Sequence, residues 1–397
     1  MNFRRSIAAG VAACTLLLLA ACGGGGGAGG GIGGSGAPLG KGTMRASMTD
    51  APSCGYDAVH VTIDKLRVHQ SGNAAESDSG WVDIPLSGPR RVDLLTLTNG
   101  VLFPLGEVPL TAGNYQQMRL VLAGNTQANP LANSVTPTGG AETPMDTPSA
   151  QQSGLKLNMN VDVPAGQVVD VVLDFDACKS VVRRGNSGRY NLKPVVTVIP
   201  VVNAGGQRVE GWVDLSLASG STFVSLQSQG LPVKTGIPDS QGRFVLFPVP
   251  AGNYDLVVSA PGRVSAALTG VPVGNTAVTT VGSSNLRVNP PATLMRPVGG
   301  MVSPATATVR AVQTLAGGPS IEVASPPVDA QTGAFAMDLP IAAPVRAPYV
   351  ANAPSFGFTA DAAVAGLYTV QANANGGVQN AAVNTAAPVP PLSFSLP

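Results

Sequence analysis

Apolar and polar positions alternate with a period of two along most of the chain, and no segment of the first unit shows a helical period with caps. Val59, Val61 and Ile63 alternate with their neighbours, and Leu66 and Val68 continue in the opposite phase. A slip of one residue near Asp64-Lys65 accounts for that change and predicts a β-bulge. Val169, Val171, Leu173 and Phe175 form a second clean alternation, with Asp170, Asp174 and Asp176 on the other face. Gly185-Asn186-Ser187-Gly188 reads as a hairpin turn between Val181-Val182 and a strand from Tyr190 to Ile199. Farther on, Phe244 and Leu246, then Tyr254 to Val258, repeat the pattern. The fold class expected is all-β, as tandem β-sandwich domains. Residues 125–154, rich in Pro, Thr, Gly and Asn, read as a long polar excursion from the first sandwich. Being nearly free of charge and too long for a simple connection, they are the first candidate for a binding loop.

The N-terminus departs from this pattern. Arg4 and Arg5 precede an apolar run from Ile7 to Ala20. That run is shorter than the roughly 20 residues a membrane helix needs, and reads as a signal peptide. Leu19-Ala20-Ala21-Cys22 looks like a bacterial lipobox, and the resemblance makes Cys22 the acylated first residue of the mature protein. Gly23, rather than Asp, follows it, which in the familiar sorting pattern favours the outer membrane. From Gly23 to Gly40 the chain is nearly all glycine, a flexible coil spanning about 20–25 Å. A signal peptide over 1–21 and a lipidated tether over 22–42 are therefore expected. They imply a cell-envelope lipoprotein, periplasmic or surface-facing, with the membrane as partner through its lipid. The glycine tract also yields chance matches to phosphate loops, but no strand precedes them.

Three β units are expected after the tether, over 43–202, 203–289 and 290–397. The first resembles a bacterial lipoprotein family with domain of unknown function 4382. The resemblance rests on DAPSCGYDAVHVTIDKLRVH (Asp50 to His69), VDLLTLTNG (Val92 to Gly100), AGNYQQMRLVL (Ala112 to Leu122) and LDFDACKSVV through LKPVVTV (Leu173 to Val198). That family has no established activity, so the resemblance implies location and fold more than function. The second unit contains GWVDLSL and DSQGRFVLFPVPAGNYDLVVSAPG. It resembles the carboxypeptidase regulatory-like (transthyretin-like) sandwich, of a carbohydrate-binding-like fold, many of whose members are only stalks or spacers. The third unit reads as a degenerate repeat of the second. Asp329, Gly333, Phe335 and Leu339 parallel Asp239, Gly242, Phe244 and Leu246, and AGLYTVQA follows an insertion from about Ile341 to Val364.

Charged residues are 11% of the 397, against about 25% in an ordinary globular protein, while 49 Gly and 34 Pro supply turns. The net charge of +1 carries no basic patch, which argues against nucleic acid as a partner. Cys14 leaves with the signal and Cys22 carries lipid. Cys54 and Cys178 remain as an even pair in an oxidising compartment, which points to one disulfide; the alternative is two separate buried thiols.

Candidate chemistry is sparse. The two histidines, His60 and His69, lie nine residues apart on one strand, and the predicted bulge brings them to one face. No Cys or His spacing suits zinc, and no G-x-S-x-G elbow is present. Asp170, Asp174 and Asp176, with Asp162 nearby, offer oxygen ligands but lack the spacing of a calcium loop. Arg183, Arg184 and Arg189 are placed to neutralise them across a hairpin. Paired carboxylates also suggest glycosidase chemistry, which needs a sugar cleft, and three tandem sandwiches give no obvious one. Trp81 and Trp212 are the only tryptophans, few for a protein that stacks sugars. Trp212 is expected in a core or interface. No catalytic residue, metal or cofactor is assigned. The function expected is a non-catalytic binding or scaffold module whose partner is an envelope protein or a glycan. A carbohydrate-binding surface lipoprotein is the alternative, and an envelope hydrolase ranks third.

Overall fold

The alternating segments become strands because each presents one apolar face to a core and one polar face to water. The computed structural model describes residues 40–51, 55–147, 154–202 and 205–397. The segment expected as a signal peptide, Cys22, nearly all of the expected tether and Cys54 lie outside the described residues. Lys41 and Gly42, expected at the end of the tether, already belong to β1.

The first unit contains β1 (Lys41–Ala51), β2 (Tyr56–His69), β3 (Val82–Ile84), β4 (Arg90–Asp93), β5 (Phe103–Thr111), β6 (Gly113–Leu122) and β7 (Ser134–Pro137). It continues through β8 (Thr143–Asp146), β9 (Leu155–Val163), β10 (Val168–Asp176), the helical turn α1 (Ala177–Ser180), β11 (Val181–Arg184), β12 (Arg189–Leu192) and β13 (Val196–Val201). One sheet has the order β13-β10-β1-β5, with β1 and β10 parallel. The other runs β11-β12-β8-β7-β2-β6-β9, with β3 and β4 also paired to β2. Val59, Val61, Ile63, Leu66 and Val68 are all fully buried between the sheets, and the register of β2 against β6 shifts between Ile63 and Lys65. This is the bulge that the change of phase predicted.

Two local expectations fail for physical reasons. The strand expected from Tyr190 to Ile199 breaks after Leu192, because Pro194 cannot donate to a ladder. Its second half, β13, crosses to the other sheet. The polar segment 125–154 is not an excursion either. Its strands β7 and β8 pair with β2 and β12, and Asn133, Ser134, Val135 and Met145 are completely buried. The Asn133 carboxamide accepts from Thr62 N at 3.0 Å and donates to Ala123 O at 2.6 Å. Asn125 in turn accepts from Asn133 N at 2.8 Å. Polar residues are buried here because side-chain amides replace the missing ladder bonds.

The second unit comprises β14 (Val209–Trp212), β15 (Phe223–Ser228), β16 (Leu231–Gly236), β17 (Arg243–Leu246), β18 (Gly252–Ser259), β19 (Ala266–Val273) and β20 (Thr279–Val281). The third comprises β21 (Met295–Ser303), β22 (Thr308–Thr314), β23 (Ser320–Ala324), β24 (Ala334–Pro340), β27 (Leu367–Ala374), β28 (Gly377–Asn384) and β29 (Leu392–Ser395). Between β24 and β27 lie the short strands β25 (Val345–Pro348) and β26 (Thr359–Ala360). The second unit pairs its strands as β17-β14-β20 and β16-β15-β18-β19; the third pairs them as β24-β21-β29 and β23-β22-β27-β28. The order is the same strand for strand. The turns match too. Asp239 accepts from Gln241 N and Arg243 N, as Asp329 accepts from Gln331 N and Thr332 N. Gly242 and Gly333 have φ of +74° and +72°, and a Cβ there would meet a carbonyl oxygen at 2.4 and 2.1 Å, so only glycine fits.

The insertion does not stay with the third unit. Strand β25 runs parallel to β19, Ala266 facing Val345, and extends the larger sheet of the second unit. Val345 and Ala347 are buried in that unit's core, with Tyr349, Phe356 and Phe358 packed against it. Val264 N also donates to Pro291 O at 3.0 Å and Thr293 N to Gly262 O at 2.9 Å. The second sandwich is thus completed by residues beyond 289.

Candidate functional site

The three units touch pairwise, each junction using a different device. Between the first and second, Lys234 of β16 forms an ion pair with Asp174 of β10, the two side chains only 3% and 11% exposed. Asn99 accepts from Val245 N at 3.1 Å, blocking the edge of β17. Between the first and third, Gly185 N donates to Asp329 at 2.6 Å and Ala330 N to Arg183 O at 2.8 Å. Between the second and third, the Gln227 carboxamide copies a strand. It donates to Glu322 O at 2.8 Å and accepts from Glu322 N at 2.7 Å. Val257, Ala267, Leu315 and Ile321 form a small core under that contact.

A cleft of about 470 Å³ opens where all three units converge. The first unit contributes Asp176, Cys178 and Lys179; the second Phe223, Ser225 and Ser265; the third Glu322 and Met337. Prolines, alanines and methionines make much of the wall, and Asp176, Lys179, Arg263, Glu322 and Asp338 are its charged residues. Asp176 caps α1 by accepting from Lys179 N at 3.0 Å, and its other oxygen lies 3.4 Å from Lys179 Nζ. Glu322 lies 3.6 Å from Arg310. Burial pushes the Glu322 carboxyl up, while Lys179 and Arg310 oppose that shift. Burial likewise raises Asp174 against the opposing charge of Lys234. Behind them, burial pushes Asp50 well above the usual carboxylate range, opposed by the Ala177 N–H bonded to it at 3.0 Å. The cleft wall thus joins apolar surface to the Glu322 carboxyl, which burial makes easier to protonate.

The residues singled out from the sequence are dispersed. Asp170 is bound by Arg45 at 2.5 and 2.8 Å, and Asp162 accepts from Asn114 at 2.8 Å. Of the expected acidic face, Asp176 alone lines the cleft, while Asp174 sits in the neighbouring buried pair. Arg184 and Arg189 neutralise Asp146 instead, at 3.0 and 2.7 Å, because β12 lies beside β8. Neither histidine lines the cleft. His60 faces Glu142 at 3.6 Å, and burial holds its imidazole below the ordinary value. His69 accepts from Ser71 N at 2.8 Å and packs on Trp81, ring centroids 5.0 Å apart. Arg67 and Arg119 also stack on Trp81, at 5.1 and 5.3 Å, so the ring is already engaged. Trp212 is half-buried in β14. No group of metal-ligating side chains occurs among the described residues, nor is any helix there long and apolar enough to cross a membrane.

Cys178 is disulfide-bonded and borders the cleft; Cys54 lies outside the described residues, although its neighbour Gly55 borders the same cleft. Sequence reasoning missed Lys234, Glu322 and Gln227. A signal existed, since Lys234 and Glu322 are the only charged residues of β16 and β23. The expectation that three sandwiches leave no cleft also fails, because it treated the units as beads on a string.

Among solved structures, the chain is similar to a type II cohesin–X-dockerin complex from Acetivibrio cellulolyticus, an N-terminal interface mutant. The identity is 18% over 22% of this chain and 59% of that one, with a TM-score of 0.19. The chain therefore spans less than two thirds of that relative. A streptococcal ancillary pilin matches at 9% identity over 90% of this chain and 98% of that one, with a TM-score of 0.17. A fimbrial protein from Bacteroides ovatus matches at 12% over 64% and 51%, with a TM-score of 0.18. No curated protein matches the chain. Residues 41–194, the first sandwich almost entire, match the family model described as Domain of unknown function (DUF4382).

Proposed function

We propose that this chain is a non-catalytic binding or scaffold protein of a bacterial cell envelope, anchored through a lipid on Cys22. It receives its ligand in the cleft where the three sandwiches meet. The observation that carries this reading is that all three units contribute to one cavity of about 470 Å³, the kind of site that forms at domain junctions. The lipobox-like Leu19-Ala20-Ala21-Cys22 supports the anchor and an outer-membrane location. The bonded state of Cys178 supports a bridge to Cys54, which would brace the cleft wall. The shared strand order of the second and third units supports their reading as carboxypeptidase regulatory-like repeats. Among the described residues Phe223 is the single aromatic side chain on the wall, which favours an envelope protein or other amphipathic ligand over a stacked glycan.

Gly220 tests the cleft with little risk to folding, because it is exposed on the rim and a Cβ there meets nothing within 4 Å. Gly220→Trp should abolish capture of the envelope ligand that the wild-type protein retains, with the melting curve unchanged. Retention at full affinity would move the site elsewhere. Cys22→Ser should lose lipid labelling and accumulate precursor; normal processing would remove the anchor from the account.

A further inference from the structure

An exposed strand edge offers unpaired N–H and C=O groups, and proteins ordinarily blunt it with proline, charge, shortness or a cap. In the first unit, β5 carries Pro104, Glu107 and Pro109, and β9 carries Lys156 and Asp162. Gln207 bonds along β13, and β11 gives its Arg183 carbonyl to Ala330. In the second, β16 holds Pro232 and Lys234, β17 is capped by Asn99, and β20 and β26 span three and two residues. In the third, β24 holds Asp338 and Pro340, and β23 is capped by Gln227. The short β29 is capped by Gln379, which bonds both N and O of Ser395. Strand β28 has none of these. It is eight residues long, Gly-Val-Gln-Asn-Ala-Ala-Val-Asn, without charge or proline, and lies at the end of its sheet.

The hairpin identifies which groups are free. Asn375 and Gly376, with φ of 49° and 81°, make a two-residue turn closed by Ala374 facing Gly377. In such a turn the closing pair exchanges both hydrogen bonds, and every second pair does so after it. Gly377, Gln379, Ala381 and Val383 therefore bond to β27, while Val378, Asn380, Ala382 and Asn384 turn their backbone groups outward. The sister sandwich shows what this edge can hold. Strand β19 occupies the position of β28 in the same strand order, and its outer edge is filled by β25.

We propose that β28 pairs antiparallel with β28 of a second copy of this chain, joining two four-stranded sheets into one of eight. A two-fold axis through Ala381 sets Asn380 opposite Ala382, and Val378 opposite Asn384, in hydrogen-bonded pairs. Gln379 then faces Val383. No charge meets a like charge, and each edge supplies the donors and acceptors its twin lacks, as an isologous interface requires. Val378, 55% exposed in the single chain, gains a neighbour. One strand pair buries less than the roughly 1,200 Å² of a stable interface, so the dimer is a weak, concentration-dependent one.

Sedimentation velocity on residues 39–397, one compact unit, tests this from low to high micromolar concentration. The expected result is a reversible shift from monomer to dimer. Ala382→Pro removes an outward N–H while sparing the bonds to β27, and Asn380→Lys places two like charges at the interface. Both should keep the wild-type melting curve and remain monomeric. A wild-type protein that stays monomeric throughout, as it would if the edge served another protein's strand, overturns the proposal. So does a dimer that persists in both variants.

Discussion

The second and third sandwiches run through the same strand order, the same Asp-Gly turn and the same tyrosine, yet they finish the same edge in opposite ways. In the second, β19 is covered by β25; in the third, β28 is bare. The cause lies in one connection. Between β17 and β18 only Phe247 to Ala251 intervene, whereas the matching link from β24 to β27 carries the insertion that supplies β25 and β26. The tyrosine records where it was spliced in. Tyr254 donates to Pro250 O at 2.8 Å, four residues upstream, and Tyr368 donates to Pro340 O at 2.9 Å, across the whole insertion. Tyr115 of the first unit makes the equivalent bond to Thr111 O at 3.1 Å. A loop whose two ends are already held together can lengthen at slowly rising entropic cost. Its apolar residues are then free to complete a neighbouring sheet.

The largest expected effect comes from removing that loan. Replacing residues 342–363 with a short Gly-Ser linker should leave the third sandwich closed by Tyr368 and open the second. Withdrawing Val345 from the second core costs about 1.5–3 kcal/mol before the aromatic packing is counted. The melting midpoint should fall, with hydrogen exchange rising in β19 and unchanged in β22. Equal loosening of both units would break the comparison. For the same reason, a fragment limited to 203–289 should melt less cooperatively than one that also carries the insertion.

The next effect separates docking from closure. Lys234→Ala leaves Asp174 buried without its partner, a change that costs about 3–5 kcal/mol. Lys234→Met with Asp174→Leu should restore most of that, since a well-packed apolar pair often equals a buried ion pair. Chemical denaturation of the three proteins decides it; a single Lys234→Ala change within the error of wild type would place the pair in contact with water. The smallest effect concerns the corner. Tyr254→Phe and Tyr368→Phe should each lose about 0.5–1.5 kcal/mol, one hydrogen bond. A much greater loss at Tyr368 would show that it also clamps the insertion.

Much of this was legible in sequence where the cause is local. The bulge in β2 follows from a phase slip, and the repeat follows from turn residues that only one backbone conformation accepts, Gly242 and Gly333 above all. What escaped was tertiary. Asn133 reads as loop because its partners, Thr62 and Ala123, are brought to it by the fold. Val345 and Ala347 alternate over too few residues to announce a strand, and nothing near them says which sheet they join. The cleft was invisible for the same reason. Its wall draws Asp176 from β10, Thr235 from β16 and Glu322 from β23, which line one cavity only when three sandwiches close on one another.

Hydrogen exchange on dilute residues 39–397 tests the contrast between the two edges most directly. Peptides covering β19 should retain deuterium-free amides on both sides of the strand at Ala266 to Thr269, where β25 covers the edge. In β28, Val378, Asn380, Ala382 and Asn384 should exchange rapidly while the alternate amides remain protected. Equal protection of the two strands, or a β19 that exchanges as fast as β28, would contradict the account.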